Sequence, residues 1–152
     1  MELWRNNMTT EEEKLCLENQ LCFPLYAVSR KVIALYQPYL KPLGITYTQY
    51  IVLMALWERD NITVSELGKK LFLDNGTLTP LLKKMENFGY ISRKKSHRDE
   101  RRVFISLTEQ GYSLKEKCVD IPHCIFEKMD LDSEKAKLLH SLLYDLLEKA
   151  VD

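Results

Sequence analysis

Residues 63–89 read TVSELGKKLFLDNGTLTPLLKKMENFG, and this stretch decides the fold. Its first four residues form a capping-box pattern, in which the hydroxyl of Thr63 accepts a backbone N–H and the side chain of Glu66 accepts the N–H of Thr63. A capping box fixes where a helix begins, so the pattern predicts a short helix that runs to about Leu71.

A turn and a second helix follow within the same stretch. Asp74, Asn75 and Gly76 are typical turn residues, and either Asp74 or Asn75 has a side chain suited to cap the next helix. That helix is predicted from about residue 76 to residue 87, and Gly89 suits the left-handed residue that often follows a helix end. The stretch thus predicts two helices joined by a tight turn.

Two short β-type runs come next, at residues 90–93 and Val103–Leu107, and the polar stretch 94–102 joins them. A hairpin directly after two such helices is the chain order of a winged helix-turn-helix. In that fold the N-terminal end of the second helix reads base edges in the major groove. The hairpin tip is basic, which suits the narrow and strongly negative minor groove.

Predicted helices precede this unit. The first spans residues 15–35, and Pro38 and Gly44 are among the residues expected to end it. Thr46 begins a second capping box and opens a helix that runs to about Glu58. With few glycines and prolines, five of each in 152 residues, the chain is expected to be mainly helical.

Predicted helices also follow the hairpin. Thr108 caps a long helix that runs to about residue 129, and Pro122 is expected to kink it because proline removes a helical N–H. A final helix carries a broad apolar stripe. Its members are Leu138, Leu139, Leu142, Leu143, Leu146 and Leu147.

The composition is that of one globular domain. Apolar residues make up 45% of the chain and charged residues 29%, a balance that excludes a disordered or membrane protein. No apolar run approaches the roughly 18 residues of a spanning helix. The first 14 residues are polar and acidic, unlike a secretory signal, so a cytoplasmic location is expected.

The charges are unevenly distributed along the chain. Residues 69–102 contain ten basic and four acidic residues, while the rest contains 12 basic and 18 acidic ones. This asymmetry suits a lobe that faces DNA phosphates, although a solvated charged surface is the alternative for charge alone. The candidate DNA-binding residues are Asp74, Asn75, Thr77, Thr79, Lys83, Lys84, Arg93, Lys94, Lys95, His97, Arg98, Asp99 and Arg101.

The segments LDNGTLTPLL at residues 73–82 and RDER at residues 98–101 resemble the MarR family of bacterial regulators. The resemblance covers the chain from about Leu17 to its end. It implies a winged helix-turn-helix whose first and last helices interleave with those of a second copy into one dimerisation body. It also implies a pseudo-palindromic double-stranded operator, which the homodimer reads with two wings and two recognition helices.

This resemblance divides the single chain, residues 1–152, into functional parts. Residues 46–107 are expected to form the DNA-binding lobe, and residues 15–45 and 108–152 the dimerisation helices. The leucine stripe of the final helix agrees with this division, because a single chain is not expected to bury so broad an apolar stripe by itself.

Four cysteines are present, and their spacing says little by itself. In a reducing cytosol they are expected to be thiols rather than permanent disulfides. Each sequential pair has five intervening residues, whereas zinc ligands are usually about two to four apart, so neither a metal nor a cofactor is predicted. The cysteines are Cys16, Cys22, Cys118 and Cys124.

The segment LENQLCFPLY at residues 17–26 resembles the organic-hydroperoxide-sensing branch of the MarR family, named for its repressor of organic hydroperoxide resistance, and the related staphylococcal redox regulators. The resemblance implies that Cys22 is the sensor. It also implies that Tyr36 and Tyr47 bond its thiolate from across the dimer, and Tyr26 lies one helical turn from Cys22. On residue type alone, a small buried hydrophobe would be the simpler reading of this cysteine.

The implied chemistry is a thiol oxidation. Hydroxyl donors and a helix N-terminus stabilise a thiolate, which attacks the peroxide and becomes a sulfenic acid that a second thiol converts to a disulfide. Relatives in this branch use either a small external thiol or a partner cysteine in the long fifth helix, which makes Cys124 the preferred resolver and Cys118 the second choice. A direct bond from Cys16 to Cys22 would need local unwinding if one helix held both.

Three other functions fit parts of the sequence. A MarR-type regulator gated by a phenolic or lipophilic ligand would use the same tyrosines and leucines to line a pocket. A thiol peroxidase would leave the basic hairpin unexplained, and no peroxidase signature or C-x-x-C motif is present, so an enzyme is not predicted. An architectural DNA binder would need no switch. The sequence favours a redox-switched regulator, most simply a repressor.

Overall fold

The computed structural model describes residues 11–96 and 102–149, and within them the chain is mainly helical with one small antiparallel sheet. This confirms the predicted fold class. In chain order the elements are α1 (Glu11–Leu15), α2 (Cys22–Leu40), α3 (Tyr47–Glu58), β1 (Ile62–Thr63), α4 (Val64–Leu71), α5 (Asn75–Asn87), β2 (Ile91–Lys95), β3 (Val103–Leu107), α6 (Glu109–Cys118), α7 (Ile121–Met129) and α8 (Ser133–Lys149).

The helix-turn-helix consists of α4 and α5, and both begin where their caps predict. The hydroxyl of Thr63 accepts the N–H of Glu66, and the Glu66 carboxylate accepts the N–H of Thr63 at 2.8 Å. At α5 the cap is Asp74, whose side chain accepts the N–H of Thr77. The Thr46 capping box at α3 is also formed, through reciprocal bonds with Gln49.

The wing is larger than the sequence pattern predicts. Strands β2 and β3 pair antiparallel, with Ile91 opposite Leu107, and the two-residue strand β1 adds to the far side of β3 through Ile62 opposite Ile105. The sequence pattern does not predict β1, because two residues cannot show a strand period. Its pairing joins the start of α4 to the wing, so the helix-turn-helix and the hairpin share one sheet.

The predicted first helix is wrong at both ends. It is not continuous from residue 15, because α1 ends at Leu15, a 3-10 turn occupies Leu17–Asn19, and α2 begins only at Cys22. It also does not stop near residue 35, since α2 continues to Leu40 with Pro38 in its last turn. The termination comes at Gly44, which adopts the left-handed conformation with φ of 71°.

The core lies mainly between the helices and the sheet of the winged lobe. Fully buried side chains come from α3, α4, α5 and the sheet, with a smaller group on α6 and α7. At Gly111 an added Cβ would lie 2.1 Å from the carbonyl oxygen of Tyr90, so only glycine lets α6 pass this close to the lobe. The indole N–H of Trp57 donates to the Gly111 carbonyl at 3.0 Å and holds the same junction.

The long helix after the wing is interrupted where Pro122 predicts. The first segment, α6, ends at Cys118, and α7 begins at Ile121 with Pro122 in its first turn. Because the first-turn N–H groups of a helix have no partner within it, proline is tolerated there. Helix α7 then packs against α2.

Two apolar surfaces are left largely uncovered by the other residues that the structure describes. In α2, residues 22–31 are exposed apart from the half-buried Ala27. Helix α8 has no buried residue, and its leucines Leu138, Leu139, Leu142, Leu143, Leu146 and Leu147 are between 37% and 62% exposed. Within the part of the chain that the structure describes, no helix is both long and apolar enough to cross a membrane.

Candidate nucleic-acid interface and redox site

The N-terminal end of α5 is exposed, and hydrogen bonds among its first residues stabilise it. The Asp74 carboxylate accepts the backbone N–H of Thr77 at 2.9 Å and its hydroxyl at 2.7 Å, and these bonds lower the pKa of Asp74. The hydroxyl of Thr79 donates to the carbonyl of Asn75 at 2.7 Å. Both hydroxyl protons are therefore used within the helix, so each threonine offers outward acceptor lone pairs.

Helix α5 has a buried face and a polar, basic face. Leu78, Leu82 and Met85 are buried in the core, whereas Lys83 and Lys84 are exposed. A helix held by one face and basic on the other can lie against a negatively charged backbone.

The wing begins with an ion pair that the sequence analysis did not find. Arg93 donates from Nε at 2.8 Å and from Nη2 at 2.6 Å to the carboxylate of Glu86, which also accepts the Arg93 backbone N–H at 3.1 Å. The bonds to Arg93 lower the pKa of Glu86. No sequence signal points to this pair, because the partners are seven residues apart in different elements. The Arg93 guanidinium ties β2 to α5, and DNA binding by Arg93 stays a prediction.

The other predicted wing residues fall into two groups. Lys94 and Lys95 are exposed at the end of β2. The remaining four, His97, Arg98, Asp99 and Arg101, lie outside the described residues.

Cys22 is the first residue of α2 and is exposed. The first N–H groups of a helix lack intrahelical partners, and the positive end of the helix dipole stabilises a nearby negative charge. Tyr26, the tyrosine predicted to lie near Cys22, contacts Arg30. The Nη1 of Arg30 donates to the Tyr26 hydroxyl at 3.0 Å, and the Arg30 guanidinium carbon lies 5.5 Å from the centre of the Tyr26 ring.

The other two predicted tyrosines form an aromatic cluster at the opposite end of α2. The ring centres of Tyr36 and Tyr47 are 4.9 Å apart, and Tyr50, which the sequence analysis missed, lies 5.8 Å from Tyr36. Burial raises the pKa of all three phenols, that of Tyr50 to about 12, so they keep their protons at neutral pH. Tyr36 and Tyr47 line a groove of about 650 Å³ between α2 and the start of α3.

Cys22 and the tyrosines predicted to bond its thiolate are separate within one chain. Tyr36 lies 14 residues after Cys22 in α2, which at 1.5 Å per residue is about 21 Å along the helix. No tyrosine hydroxyl of the cluster reaches across that length. The structure thus brings Tyr36 and Tyr47 together but does not bring Cys22 to them.

The two predicted resolving cysteines differ in access. Cys118 is 3% exposed at the end of α6, and burial raises the pKa of its thiol. Cys124 on α7 is partly exposed. Among the described residues, no three of the His, Cys, Asp and Glu side chains are grouped so that they could hold a metal ion.

Comparison with known proteins gives consistent matches. A family model described as transcriptional regulator SarA/Rot matches residues 34–118, more than half of the chain. A curated relative from Bacillus subtilis, an organic hydroperoxide resistance transcriptional regulator, is 52% identical over 93% of this chain and 96% of its own length.

Solved structures with the same fold include AbfR of Staphylococcus epidermidis in several states. Reduced AbfR bound to DNA superposes with a TM-score of 0.72 at 35% identity, covering 94% of this chain and 100% of that one. Overoxidised AbfR bound to DNA gives 0.71 at 36% identity, covering 91% and 98%. Disulfide-formed AbfR gives 0.59 at 36% identity, covering 89% and 96%.

A variant of MarR from E. coli in complex with operator DNA superposes with a TM-score of 0.76 at 28% identity, covering 84% of this chain and 93% of that one. The chain has a helix-turn-helix followed by a wing, and its sequence is similar to that of a transcriptional regulator over most of its length. The fold and the sequence comparison therefore agree. The chain belongs to the MarR family of winged-helix transcriptional regulators and is related to its organic hydroperoxide resistance branch.

Proposed function

We propose that this protein is a homodimeric repressor that binds a pseudo-palindromic operator while Cys22 is reduced. An organic hydroperoxide oxidises Cys22, and the oxidised dimer releases the DNA. The most similar relatives support the class of signal, because the curated relative from B. subtilis is a regulator of organic hydroperoxide resistance.

One observation carries this proposal, namely the separation of the thiol from its hydroxyl donors along α2. Cys22 is exposed at one end of the helix, and the tyrosine groove lies at the other end, about 21 Å away. A second copy of the chain that runs antiparallel along α2 would place its own Cys22 at this groove. The redox site is then complete only in a dimer.

The unpacked helices provide the surface for that dimer. The first half of α2 and all of α8 expose large apolar side chains, including Phe23 at 41%, Leu25 at 39% and Leu142 at 52%. Monomeric proteins rarely leave contiguous apolar faces of this size in water. A two-fold dimer would cover both helices with the same surface of a second copy.

The DNA contacts proposed here follow the exposed face of the winged lobe. The start of α5, with Asn75, Thr77 and Thr79, faces outward and suits base edges, while Lys83 and Lys84 suit phosphates. Asp74 caps the helix and holds this end in place for DNA binding. Lys94 and Lys95 extend the basic surface to the wing. The wing-tip residues His97, Arg98, Asp99 and Arg101, which lie outside the described residues, are also proposed to take part in DNA binding.

The proposed chemistry starts with the Cys22 thiolate at the helix N-terminus. Its sulfur attacks one peroxide oxygen, the O–O bond breaks, and the leaving alkoxide takes a proton to become an alcohol. Cys22 becomes a sulfenic acid. Tyr36 and Tyr47 stay protonated because burial raises the pKa of both, so each can donate a hydrogen bond to the thiolate of the partner subunit.

In this proposal the operator is released when Cys22 forms a disulfide, and oxidation of the Cys22 sulfur by peroxide alone is not sufficient. Overoxidised AbfR was solved on DNA, and the disulfide form of AbfR superposes on this chain less well than the DNA-bound forms. A thiol must therefore trap the sulfenic acid before it oxidises further. Of the two cysteines predicted for this role, Cys124 on α7 is the more accessible, since Cys118 on α6 is buried.

The test measures operator affinity against peroxide. Reduced wild type, Cys22→Ser and the matched control Cys118→Ser are titrated onto the protein's own upstream DNA, with and without one equivalent of cumene hydroperoxide. Wild type and the control should lose at least about 100-fold in affinity, a coupling of about 2.7 kcal/mol. Cys22→Ser should bind as tightly with peroxide as without it. Equal release of Cys22→Ser and wild type would exclude Cys22 as the sensor.

The groove itself favours one alternative function. Its volume of about 650 Å³ and its lining by Tyr36, Tyr47 and aliphatic side chains suit a phenolic or lipophilic ligand. A regulator gated in this way would release DNA on ligand binding whether or not Cys22 is present. Release of the Cys22→Ser variant by a small phenol, with no response of wild type to peroxide, would establish this alternative.

A further inference from the structure

The segment that joins the two exposed cysteines is not a continuous helix. Cys16 has an extended backbone with φ of −63° and ψ of 127°, a 3-10 turn follows, and Gln20 is extended again with φ of −97° and ψ of 117°. Cys22 then begins α2. In one unbroken helix the two residues would be about 9 Å apart along the axis and on different faces. The break removes that constraint.

Two amide side chains fold this segment back on itself. Gln20, two residues before Cys22, donates from Nε2 to the carbonyls of Lys14 at 2.7 Å and Cys16 at 3.2 Å. Asn19 donates from Nδ2 to the carbonyl of Glu13 at 2.9 Å. The chain just before Cys22 therefore lies against the backbone around Cys16 rather than running away from it.

The segment is also easy to rearrange. Within a single chain both thiols are exposed, and no residue from Glu13 to Tyr26 is buried. The bonds that hold it are solvent-exposed and local, which is typical of the parts of a protein that open at low free-energy cost. No side chain of this segment belongs to the buried core of the chain, so its rearrangement would not displace a core side chain.

We propose that Cys16 is the resolving cysteine of Cys22 within the same chain, a proposal that rests on the oxidation of Cys22 by an organic hydroperoxide described above. The Cys16 sulfur attacks the sulfur of the Cys22 sulfenic acid, and an S–S bond forms as the S–O bond breaks. The departing hydroxide leaves as water with the proton of the Cys16 thiol. The peroxide supplies the two oxidising equivalents.

Cys16 has advantages over the other thiols of the chain. It is tethered to Cys22 by a short segment, so its effective concentration is in about the millimolar range or above and does not depend on a second subunit. Cys118 is buried, and Cys124 is only partly exposed on α7. A small external thiol must compete with this tethered group.

The disulfide would act on the end of α2. The first turn of that helix includes the bond from the Leu25 N–H to the Leu21 carbonyl at 3.4 Å, a long bond next to the reacting cysteine. Drawing Cys22 toward Cys16 pulls directly on this turn. Because the proposed dimer interface uses the same half of α2, a local disulfide would disturb it without a covalent link between subunits.

The chain offers a convenient test by peptide mapping. Trypsin cleavage after Lys14 and Arg30 releases residues 15–30, which contain Cys16 and Cys22, whereas residues 118–128 contain Cys118 and Cys124. Glu18 is the one glutamate between Cys16 and Cys22, so a glutamate-specific protease cuts between them. The full-length protein is treated with one equivalent of cumene hydroperoxide in thiol-free buffer, alkylated and mapped without reduction, for wild type, Cys16→Ser and Cys124→Ser.

If Cys16 resolves Cys22, the wild-type peptide 15–30 is lighter by two hydrogen atoms and its halves stay joined after cleavage at Glu18. Cys124→Ser gives the same product. Cys16→Ser lacks it, and at excess peroxide it accumulates at least roughly fivefold more Cys22 sulfinic acid, because nothing traps the sulfenic acid. A wild-type cross-link of peptide 15–30 to peptide 118–128, unaffected by Cys16→Ser, would overturn the proposal.

The same map separates this proposal from the proposed function. If a dimedone-reactive sulfenic acid forms at Cys22 equally in wild type and Cys16→Ser, then Cys22 senses peroxide and Cys16 does not resolve it. If Cys22 stays a free thiol in wild type, Cys16→Ser and Cys124→Ser at stoichiometric peroxide, Cys22 does not react, and the redox function and the Cys16 proposal both fail.

Discussion

The winged lobe and the helical arms are both rich in apolar side chains, but they pack in opposite ways. Within residues 46–107, Leu53, Leu67 and Leu82 are at most 1% exposed. Along residues 13–39 and 126–149 no described side chain is buried. The lobe buries its own apolar side chains. The arms, residues 13–39 and 126–149, can bury theirs only against another copy of the chain. The difference indicates that the stability of the lobe is a property of one chain and that of the arms a property of an assembly.

The largest effect is expected where the arms meet their partner. Changing Leu142 and Leu146 to Glu alters four interface leucines in a two-fold dimer. At about 1.5–3 kcal/mol for each buried leucine, the dimer should lose about 6 kcal/mol or more. Sedimentation equilibrium should then show monomers at micromolar concentration. Ser141→Glu, which puts the same charge on the opposite face of α8, should stay dimeric, and a dimeric double variant would remove α8 from the interface.

A smaller but substantial effect is expected in the core of the lobe. Leu82→Ala deletes a side chain that is 1% exposed, and such a cavity costs about 2–5 kcal/mol of the free energy of unfolding. The neighbouring Leu81 is only half-buried, so Leu81→Ala should cost about 1 kcal/mol. Urea unfolding of both variants measures the difference, and equal losses would contradict the packing described for α5.

The ion pair between Glu86 and Arg93 tests whether the wing is part of the rigid lobe. Because the pKa of Glu86 is lowered, the carboxylate stabilises the fold above its ordinary pKa of 4.5, and this contribution is lost as the pH falls through the lower folded value. Glu86→Gln should lower stability at neutral pH by about 1 kcal/mol, a figure reduced for the solvent exposure of the pair.

The pH dependence provides the control for this pair. Below pH 4.5 the difference between Glu86→Gln and wild type should shrink. The matched variant Glu58→Gln removes the surface pair with Lys70, whose side chains are 68% and 39% exposed, and it should change stability little. A pH-independent loss in Glu86→Gln would mean that the pair contributes by packing rather than by charge.

The smallest effect at neutral pH is expected at Tyr50, where the lobe meets α2. Burial raises its pKa to about 12 from 10, so the folded protein resists ionisation that the unfolded chain allows. Stability should therefore fall as the pH rises from 10 toward 12. Tyr50→Phe should reduce this alkaline loss in thermal unfolding, while Tyr112→Phe, at an exposed phenol bonded to Asp60, should not reduce it to the same extent.

Much of the lobe could be predicted from the sequence because its boundaries depend on neighbouring residues. The Thr46, Thr63 and Asp74 caps each satisfy backbone groups within three residues, and all three are formed. Gly89 adopts the left-handed conformation with φ of 75°, as its place after a helix predicts. Such features depend on residues that are close in sequence, so they can be predicted without the tertiary structure.

The candidate sites were only partly predictable for the same physical reason. Cys22, Tyr36 and Tyr47 could be named from a sequence motif, but whether they meet depends on a second chain. Arg93 was assigned to DNA because basic hairpin residues usually face it, and its pairing with Glu86 depends on how β2 packs against α5.

The sequence by itself determined the order of the main helices, the caps that begin several of them, the wing strands and the cysteine motif around Cys22. Only the tertiary structure decided that the predicted first helix breaks between Leu15 and Cys22, that β1 completes the sheet, and that Cys118 is buried. The physical reason is the separation along the sequence between the residues that interact. Caps and turns are satisfied by residues a few positions away, whereas burial, strand pairing and ion pairs between elements depend on contacts that the chain makes only when it is folded.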